Sequence, residues 1–134
     1  MGAEEEILKK HKVIAVVGCS SNPERPSYRV ASYMKDKGYT IIPVNPNEKE
    51  ILGEKCYPDL SSIPDKDKIE VVDIFRRSED VPPIAREAVK IGADVVWMQE
   101  GVVNEEGAKC ARDAGLKVVM DKCLKKEHEK MGGG

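Results

Sequence analysis

The sequence lacks a long hydrophobic run, a strong net charge and any Cys-x-x-Cys pair, and each absence excludes a class of protein. Its apolar runs are about six residues at most, against the roughly 20 that a membrane-spanning helix needs. A formal net charge of −2 gives no general attraction to nucleic acid or to anionic membranes. The acidic residues 2–6 include no apolar segment, so the start of the chain does not match a signal peptide. We therefore expect a cytoplasmic protein that binds neither nucleic acid nor membrane.

The four cysteines are scattered along the chain, at Cys19, Cys56, Cys110 and Cys123. A zinc site typically uses closely spaced ligand pairs, so we predict free and mostly buried thiols and no metal site. Charged residues make up 34% of the chain and Gln99 is its one glutamine, a composition typical of thermophiles. Because intracellular disulfides occur in such organisms, a disulfide bond between two of these cysteines is the alternative. His11 and His128 lie in charged terminal segments, where we expect solvated side chains.

Short β-branched runs alternate with helix-like segments, a pattern that predicts a single α/β domain of 134 residues. The predicted strands are residues 13–17, 40–44, 70–75, 94–98 and 116–120. The predicted helices are a polar N-terminal helix over 1–11, residues 28–37 capped by Ser27, residues 82–91, and a helix capped by Asn104. Residues 47–68 contain Pro58 and Pro64 and predict at most one or two helical turns. The core spans about 12–123, and residues 125–134 are expected to fray.

Strands this apolar, separated by crossovers, predict one doubly wound, Rossmann-like, five-stranded parallel sheet with helices on both faces. Ligands of such sheets bind beyond the carboxyl ends of the strands, where the strand order reverses. The residues that follow the predicted strands are therefore the site candidates. They are residues 18–21, 45–46, 75–77, 99–101 and 121–123.

The first strand ends at Gly18 and opens into Cys19, Ser20 and Ser21, shortly before a helix. A strand, a tight glycine turn and a helix N-terminus together form a cradle for phosphate. The first N–H groups of a helix have no partner within it, and the helix dipole favours negative charge. The dinucleotide fingerprint Gly-x-Gly-x-x-Gly is absent, since Ser20 and Pro23 replace its later glycines. The stretch predicts phosphate binding, with an ordinary tight turn as the alternative.

The second strand ends at Asn45 and Pro46, with no carboxylate before Glu48. An NAD site expects an acid at this position to hold the adenosine ribose. Its absence argues against NAD and leaves room for a ribose that carries a 3′-phosphate. A rigid Asn-Pro turn without a ligand is the alternative.

The third strand ends at Phe75, Arg76 and Arg77. An aromatic ring beside two guanidinium groups favours stacking on a base and binding of phosphate. The alternative is that Phe75 belongs to the core and that the arginines pair with Glu79 or Asp80.

Two further features add polar groups near the same edge. Arg25 stands between two prolines that would hold it in place, and it adds a cation to the first loop. At the end of the fourth strand, Met98 and Gln99 precede Gly101, which allows close backbone approach to a ligand. The Gln99 amide donates and accepts hydrogen bonds. Trp97 is interpreted as core packing.

With these residues in place, the chain resembles a stand-alone CoA-binding domain protein. That family is similar to the N-terminal CoA-binding domain of the succinyl-CoA synthetase alpha subunit. The resemblance extends over roughly residues 12–128. The matching segments are residues 16–20, 25–27, 43–46, 72–78, 97–102 and 118–123.

The resemblance implies that coenzyme A places its diphosphate on residues 18–21 and the following helix. It implies adenine and 3′-phosphate near residues 45–46 and 75–77, and a pantetheine arm along residues 99–101. The chain departs from the glycine-rich synthetase loop at Ser20 and Ser21. The synthetase's phosphorylated histidine has no counterpart here, which argues against ligation chemistry.

These observations predict a protein that binds coenzyme A or an acyl-CoA as a non-catalytic binding, sensing or carrier protein. The predicted cofactor-binding residues are Gly18, Cys19, Ser20, Ser21, Arg25, Ser27, Asn45, Pro46, Phe75, Arg76, Arg77, Met98, Gln99 and Gly101, with no catalytic and no metal-binding residue. One alternative is an NAD(H)-binding redox-sensing domain. Another is an enzyme that acts on a CoA thioester or thiol through Cys19 or Cys123, since a helix N-terminus near Cys19 would lower its pKa. A domain that serves only protein–protein contacts is a third alternative. The sequence does not determine any protein partner or the oligomeric state.

Overall fold

The structure is a computed structural model of the chain, and it describes residues 2–64 and 68–131. Within these residues, five strands form one parallel sheet and two form a small antiparallel hairpin. The strands are β1 (Val13–Val17), β2 (Thr40–Val44), β3 (Glu50–Ile51), β4 (Glu54–Lys55), β5 (Val71–Ile74), β6 (Val95–Met98) and β7 (Lys117–Val119). The helices are α1 (Ala3–Lys10), α2 (Pro26–Asp36), α3 (Val81–Lys90), α4 (Glu105–Asp113) and α5 (Leu124–Glu129), with 3₁₀ turns at Leu60–Ser62 and Ser78–Asp80. No described helix is both long and apolar enough to cross a membrane.

The sheet has the strand order β2-β1-β5-β6-β7, and all its strand pairs are parallel. Because parallel strands are joined by crossovers, helices cover both faces and the strands are apolar on both sides. One face carries Ile14 and Val16 and packs against α1, α2 and α5. The other carries Ala15 and Val72 and packs against α3 and α4. The predicted doubly wound α/β fold is confirmed.

The strand order reverses at β1, which lies between β2 and β5. Val17, the last residue of β1, is in register with Val44 on one side and with Ile74 on the other. The three loops that follow these strands therefore begin side by side. This register brings Gly18, Asn45 and Phe75 to one point of the carboxyl edge, where ligands of such sheets bind.

Helix α2 begins two residues earlier than predicted, and Ser27 is not its N-cap. The N-cap is Arg25, and Pro26 occupies the first helical position. Proline is favoured there because its missing N–H would have no partner in the helix and its φ is already helical. Ser27 is buried inside the first turn, where its hydroxyl accepts a hydrogen bond from the loop.

The hairpin formed by β3 and β4 was not predicted within residues 47–68. Its turn consists of Leu52 and Gly53, which both have positive φ angles of 56° and 74°. A two-residue hairpin turn in which both residues have positive φ usually carries the sequence Asn-Gly. Leucine rarely adopts this conformation, so Leu52-Gly53 gives no such signal in the sequence. The 3₁₀ turn at Leu60–Ser62 fits the predicted short helical turn.

The predicted frayed tail and the predicted solvated histidines are wrong where the structure describes them. Residues 125–129 belong to α5, which packs against α1 and α2 through Leu124 and the 4%-exposed His128. These two residues are four apart and share one helix face. The His128 Nδ1 lies 2.8 Å from the Tyr33 hydroxyl. His11 is also buried, beside Glu70. The final glycines, 132–134, lie outside the described residues.

Candidate functional site

An open cleft of about 310 Å³ lies at the carboxyl edge, where the loops after β1, β2 and β5 meet. The residues that line it are Gly18, Ser20, Arg25, Pro26, Ser27, Asn45 and Phe75. All of them except Pro26 were predicted from the sequence as binding residues. Pro26 belongs to a segment that carries the family resemblance, which is the signal that could have identified it.

Gly18 has a φ of +86° and donates its N–H to the Val44 carbonyl at 2.9 Å. A Cβ at this position would lie 2.5 Å from the Phe75 carbonyl oxygen, closer than any real contact. The glycine is therefore required twice, for its backbone angle and for the close approach of the β5 end. It lets two loops meet at the floor of the cleft without a side chain between them.

The loop between Gly18 and α2 is held by its own polar side chains. The Ser20 N–H donates to the Ser27 hydroxyl at 2.9 Å, and the Asn22 N–H donates to the Ser20 hydroxyl at 3.0 Å. The Asn45 side-chain amide donates to the Cys19 carbonyl at 2.8 Å and so joins this loop to the end of β2. Each serine hydroxyl accepts in these bonds and keeps its own proton to donate.

The N-terminus of α2 opens onto the cleft. Its N-cap residue, Arg25, makes no side-chain capping bond in the described part of the chain, and Pro26 has no N–H. The next N–H groups, of Ser27 and Tyr28, have no acceptor within the helix, because the carbonyl groups four residues before them lie outside it. The helix dipole adds positive potential at this end, which favours an anion. Arg25 lines the same cleft and contributes a full positive charge.

Arg76 and Arg77 both reach toward one carboxylate. Arg76 Nη2 and Arg77 Nε each lie 3.4 Å from Asp80 Oδ2, so the predicted alternative of pairing with nearby acids is what the structure shows. The two side chains remain 43% and 74% exposed. The stem of Arg76 lies against Gly18, with Cδ 2.9 Å from where a Cβ would stand. Exposed pairs of this length are weak, so an anion in the cleft can compete with Asp80 for Arg76.

Phe75 is half-buried and lines the cleft while it packs against the core. Its N–H donates to the Val17 carbonyl at 2.8 Å and fixes the chain just beyond β5. Phe75 is therefore partly a core residue, as the alternative has it, and it also lies at the cleft; its contact with a base stays a prediction.

Ser21 and Pro46 are exposed on the two loops that flank the cleft and do not line it. The Ser21 hydroxyl donates to Glu48 Oε2 at 2.9 Å. This contact was not predicted. It brings a carboxylate to the end of β2, three residues after the position where an NAD site expects one.

The predicted residues after β6 are not brought to the cleft. Met98 is fully buried and Gln99 is 3% exposed. The Gln99 Oε1 accepts the Leu124 N–H at 3.0 Å, so this amide is occupied by the start of α5. Gly101 has a φ of +87° and donates its N–H to Asp121 Oδ1 at 2.7 Å. Residues 98–101 thus form a junction with residues 121–124. Asp121 was a site candidate from the sequence, but its hydrogen bond to Gly101 was not predicted.

Cys19 lies beneath the cleft and is fully buried. Burial, with smaller contributions from the nearby Cys56 and Asp73, raises the pKa of its thiol to about 12. The expectation that a helix N-terminus would lower this pKa is wrong, because the side chain faces the core and not the helix end. The interpretation of Trp97 as core is correct: it is fully buried, and its indole N–H donates to the Lys122 carbonyl at 2.8 Å. All four cysteines are free.

The fold and the cleft define a Rossmann-like α/β domain with an anion-favouring site at its switch point. Residues 12–129 match the sequence model of a family described as CoA binding domain, and the chain belongs to that family. It is homologous to the CoA-binding domain of ADP-forming acetate–CoA ligases.

Three similar proteins illustrate the range of this family. Protein YneT of Bacillus subtilis is 45% identical over 124 residues, which cover 92% of this chain and 90% of YneT. ADP-forming acetate–CoA ligase II of Archaeoglobus fulgidus is 32% identical over 102 residues, which cover 75% of this chain but 15% of the ligase. The solved structure of a hypothetical protein from Pyrococcus horikoshii OT3 superposes with a TM-score of 0.93 at 45% identity, covering 97% of this chain and 90% of that one.

Proposed function

We propose that the protein binds coenzyme A or an acyl-CoA in the carboxyl-edge cleft and performs no chemistry on it. The observation that carries the proposal is the cleft itself. It combines an uncapped helix N-terminus, a side-chain-free glycine turn and arginine side chains in a chain of the CoA binding domain family.

The diphosphate of coenzyme A would lie on the Gly18–α2 loop. The N–H groups at the start of α2 and the two serine hydroxyls offer donors, and Arg25 offers a positive charge. Because the loop is already held by Ser20, Ser27 and Asn45, little order has to be created on binding. Pre-organisation of this kind improves affinity by lowering the entropy lost.

The adenine would contact Phe75, and the 3′-phosphate would take Arg76 from Asp80. Phe75 lines the cleft, and the stem of Arg76 lies against Gly18, which is also part of its lining. A phosphate carries more charge than the single Asp80 carboxylate that Arg76 shares with Arg77. This exchange of partners gives a reason for a 3′-phosphorylated ligand to bind better than its dephosphorylated form.

The pantetheine arm would leave the cleft along the main chain at Gly101. In the described structure, nothing lies within 4 Å of the Cβ position of this glycine, so the backbone is open there. The side chains of Met98 and Gln99 stay in the core and support this segment from below.

A binding role without catalysis is supported by the state of Cys19. A thiol with a pKa near 12 is protonated at neutral pH and is a poor nucleophile. We expect Cys19 to alkylate no faster in the folded protein than in the denatured chain, measured by mass spectrometry of the labelled peptides. Faster labelling of the folded protein would reopen an enzymatic role.

The proposal places the protein in the cytoplasm, where coenzyme A is available. The Lys- and Glu-rich composition and the similarity to the Pyrococcus horikoshii structure support a thermophilic source. The ligation reaction of the Archaeoglobus relative is not proposed, because the match covers 15% of that protein.

Thermal denaturation with four ligands tests the proposal. Coenzyme A and acetyl-CoA should raise the melting temperature, since a ligand at 100 times its Kd adds about 2.7 kcal/mol of stability. Dephospho-CoA should stabilise less, and NAD least. Stabilisation by NAD alone would favour the dinucleotide alternative, for which the Glu48 carboxylate at the end of β2 is the supporting observation. No shift with any of them at millimolar concentration would contradict the proposal.

A further inference from the structure

A second cluster of polar side chains lies at the amino edge of the sheet, opposite the cleft. His11 follows α1, Glu70 precedes β5 and Asp94 precedes β6. All three border a cavity of about 580 Å³. From Glu70 to Phe75 the chain runs along β5 for roughly 16 Å at the rise of a strand, so this cluster is separate from the proposed coenzyme A site.

The donor atoms of the cluster converge. His11 Nδ1 lies 3.3 Å from Glu70 Oε2 and 3.8 Å from Asp94 Oδ2, and the three ligand atoms lie within 4.8 Å of one another. Ligands bound to Zn²⁺ at about 2.0–2.2 Å in a tetrahedron lie about 3.3–3.6 Å apart. Small side-chain rotations would bring the three atoms to this spacing.

Glu70 is oriented by the backbone in the manner of a metal ligand. Its Oε1 accepts the N–H groups of Lys12 and Val13 at 2.9 and 3.0 Å, so Oε2 turns toward His11. Burial raises the pKa of this carboxyl, but the two backbone N–H groups and His11 outweigh it and the pKa is lowered. Hydrogen bonds that hold a ligand in place from behind are a regular feature of metal sites.

The charges around the cluster are mixed. The C-terminal ends of α1 and α4 reach the cavity, where Ala114 and Gly115 form part of its wall, and helix C-termini favour cations. Lys10 and Lys117 line the same cavity, and Lys68 Nζ lies 3.8 Å from Asp94 Oδ1. These ammonium groups belong to exposed side chains and offset part of the negative charge, and that of Lys68 also donates to the Gly92 carbonyl.

The two oxygens of Asp94 face different groups: Oδ1 lies 3.8 Å from Lys68 Nζ, which accounts for part of the position of this carboxylate, and Oδ2 faces the pair formed by His11 and Glu70. One hydrogen bond from His11 to Glu70 would suffice to tie the end of α1 to the sheet. Asp94 Oδ2, at 3.8 Å from the same nitrogen, is too far for a hydrogen bond and still points at the pair. Glu70 Oε2 and Asp94 Oδ2 thus converge on one imidazole nitrogen, which is the arrangement that a shared metal ion requires.

We propose that His11, Glu70 and Asp94 bind a divalent transition-metal ion of the Zn²⁺ type. One imidazole and two carboxylates suit the borderline ions, whereas Ca²⁺ prefers six or more oxygen ligands. The cavity leaves the remaining coordination position to water. The ion would tie the end of α1 to the starts of β5 and β6 and so stabilise the fold.

Calorimetric titration with ZnCl2 tests this site on tag-free protein that has been treated with chelator. One ion should bind per chain, and Ca²⁺ should give no heat. Asp94→Asn should weaken zinc binding at least tenfold, and His11→Gln should weaken it further. Glu106→Gln is the matched control, because Glu106 is exposed and pairs with Arg86 at 3.9 Å, much as Asp94 pairs with Lys68. This control should bind zinc like the parent protein.

Two results would overturn the site. One is no zinc binding at millimolar concentration. The other is zinc binding that Asp94→Asn leaves unchanged, which would locate the ion at a cysteine or at His128. Asp94 is 46% exposed, so its amide variant is expected to fold even if the His11 variant does not. Coenzyme A binding should be unaffected by all three substitutions, which separates a failure of this site from a failure of the cleft.

Discussion

The two edges of the parallel sheet carry opposite chemistry. At the carboxyl edge, a helix begins after β1, and its N-terminus faces the cleft together with Arg25. At the amino edge, helices end, and the cavity there collects their C-termini with Glu70 and Asp94. Because every strand of the sheet points the same way, all crossover helices run the opposite way and sort their dipoles between the edges. The helix dipoles alone therefore favour anions at the carboxyl edge and cations at the amino edge, whatever side chains are present.

The two edges also differ in how their site residues are held in place. At the carboxyl edge, backbone contacts dominate, since Gly18 packs on the Phe75 carbonyl and the loop is held by short hydrogen bonds. At the amino edge, the recognition rests on three side chains, one of which, Asp94, is nearly half exposed. We expect substitution of Gly18 at the carboxyl edge to damage fold and binding together, and substitution of the half-exposed Asp94 at the amino edge to affect ion binding alone.

Gly18→Val should have the largest effect. The new side chain would meet the Phe75 carbonyl at a positive φ, so strain and overpacking together should cost roughly 2–4 kcal/mol and abolish coenzyme A binding. Gly38→Val is the matched control, because its φ is +96° but nothing in the described chain lies within 4 Å of its Cβ position. It should show the backbone strain without the clash. Urea denaturation measures both, and equal losses would show that the close approach at Gly18 is unimportant.

The buried carboxyl of Asp73 lies in the sheet between the two edges and allows a test of stability against pH. It lies in β5 and is fully buried, and neither carboxylate oxygen has a hydrogen-bond partner within the described residues. Burial raises its pKa well above 3.8 in the folded state. The folded protein therefore holds a proton that the unfolded chain releases, and stability should fall as pH rises above about 4, by at most about 1.4 kcal/mol per pH unit.

Asp73→Asn removes this titration and should flatten the decline between pH 5 and pH 8. Urea denaturation across this range, with the parent protein alongside, is the measurement. If the variant keeps the parent's slope, the pH dependence comes from other groups and Asp73 is ionised in the fold.

Arg76→Ala tests the proposed contact with the 3′-phosphate at the carboxyl edge. If Arg76 contacts the 3′-phosphate, its loss should weaken coenzyme A about tenfold, or roughly 1.4 kcal/mol, and leave dephospho-CoA nearly unchanged. Arg86→Ala serves as the control, since Arg86 is a similarly exposed arginine paired with Glu106 on the α3–α4 face. Calorimetry with both ligands decides the matter. Equal weakening of the two ligands would show that Arg76 does not contact the 3′-phosphate.

Asp94→Asn should have the smallest effect on the metal-free protein. The side chain is 46% exposed, and its pair with Lys68 is long, so the free energy of unfolding should change by less than about 0.5 kcal/mol. The same variant should lose the stabilisation that zinc gives the parent protein. A large loss of stability without metal would mean that Asp94 serves the fold directly.

Local patterns predicted the sheet and most of the cleft. The β-branched runs from Val13 and Thr40 and the stop at Gly38 specify strands and turns without help from distant residues. Once the strands are in register, Gly18, Asn45 and Phe75 meet, because parallel strands end at the same edge. The cleft therefore follows from strand ends, which sequence patterns indicate well.

Long-range contacts account for what the sequence did not reveal. The α5 helix is stable because His128 meets Tyr33, which is 95 residues away. Gln99 is buried because its amide caps the start of α5 at Leu124. Cys19 faces the core, so its environment is set by Cys56 and Asp73 and not by the adjacent helix end. None of these partners is near in the chain, and a short window of sequence has no signal for them.

The most direct test of the central claim is an amide chemical-shift map of the labelled protein during titration with coenzyme A. The account predicts changes of amide signals within residues 18–28, at Asn45, within residues 75–77 and at Gly101, and none at residues 10–13, 69–71 and 93–95 at the opposite edge. Changes confined to the amino edge, or no changes at millimolar coenzyme A, would contradict it.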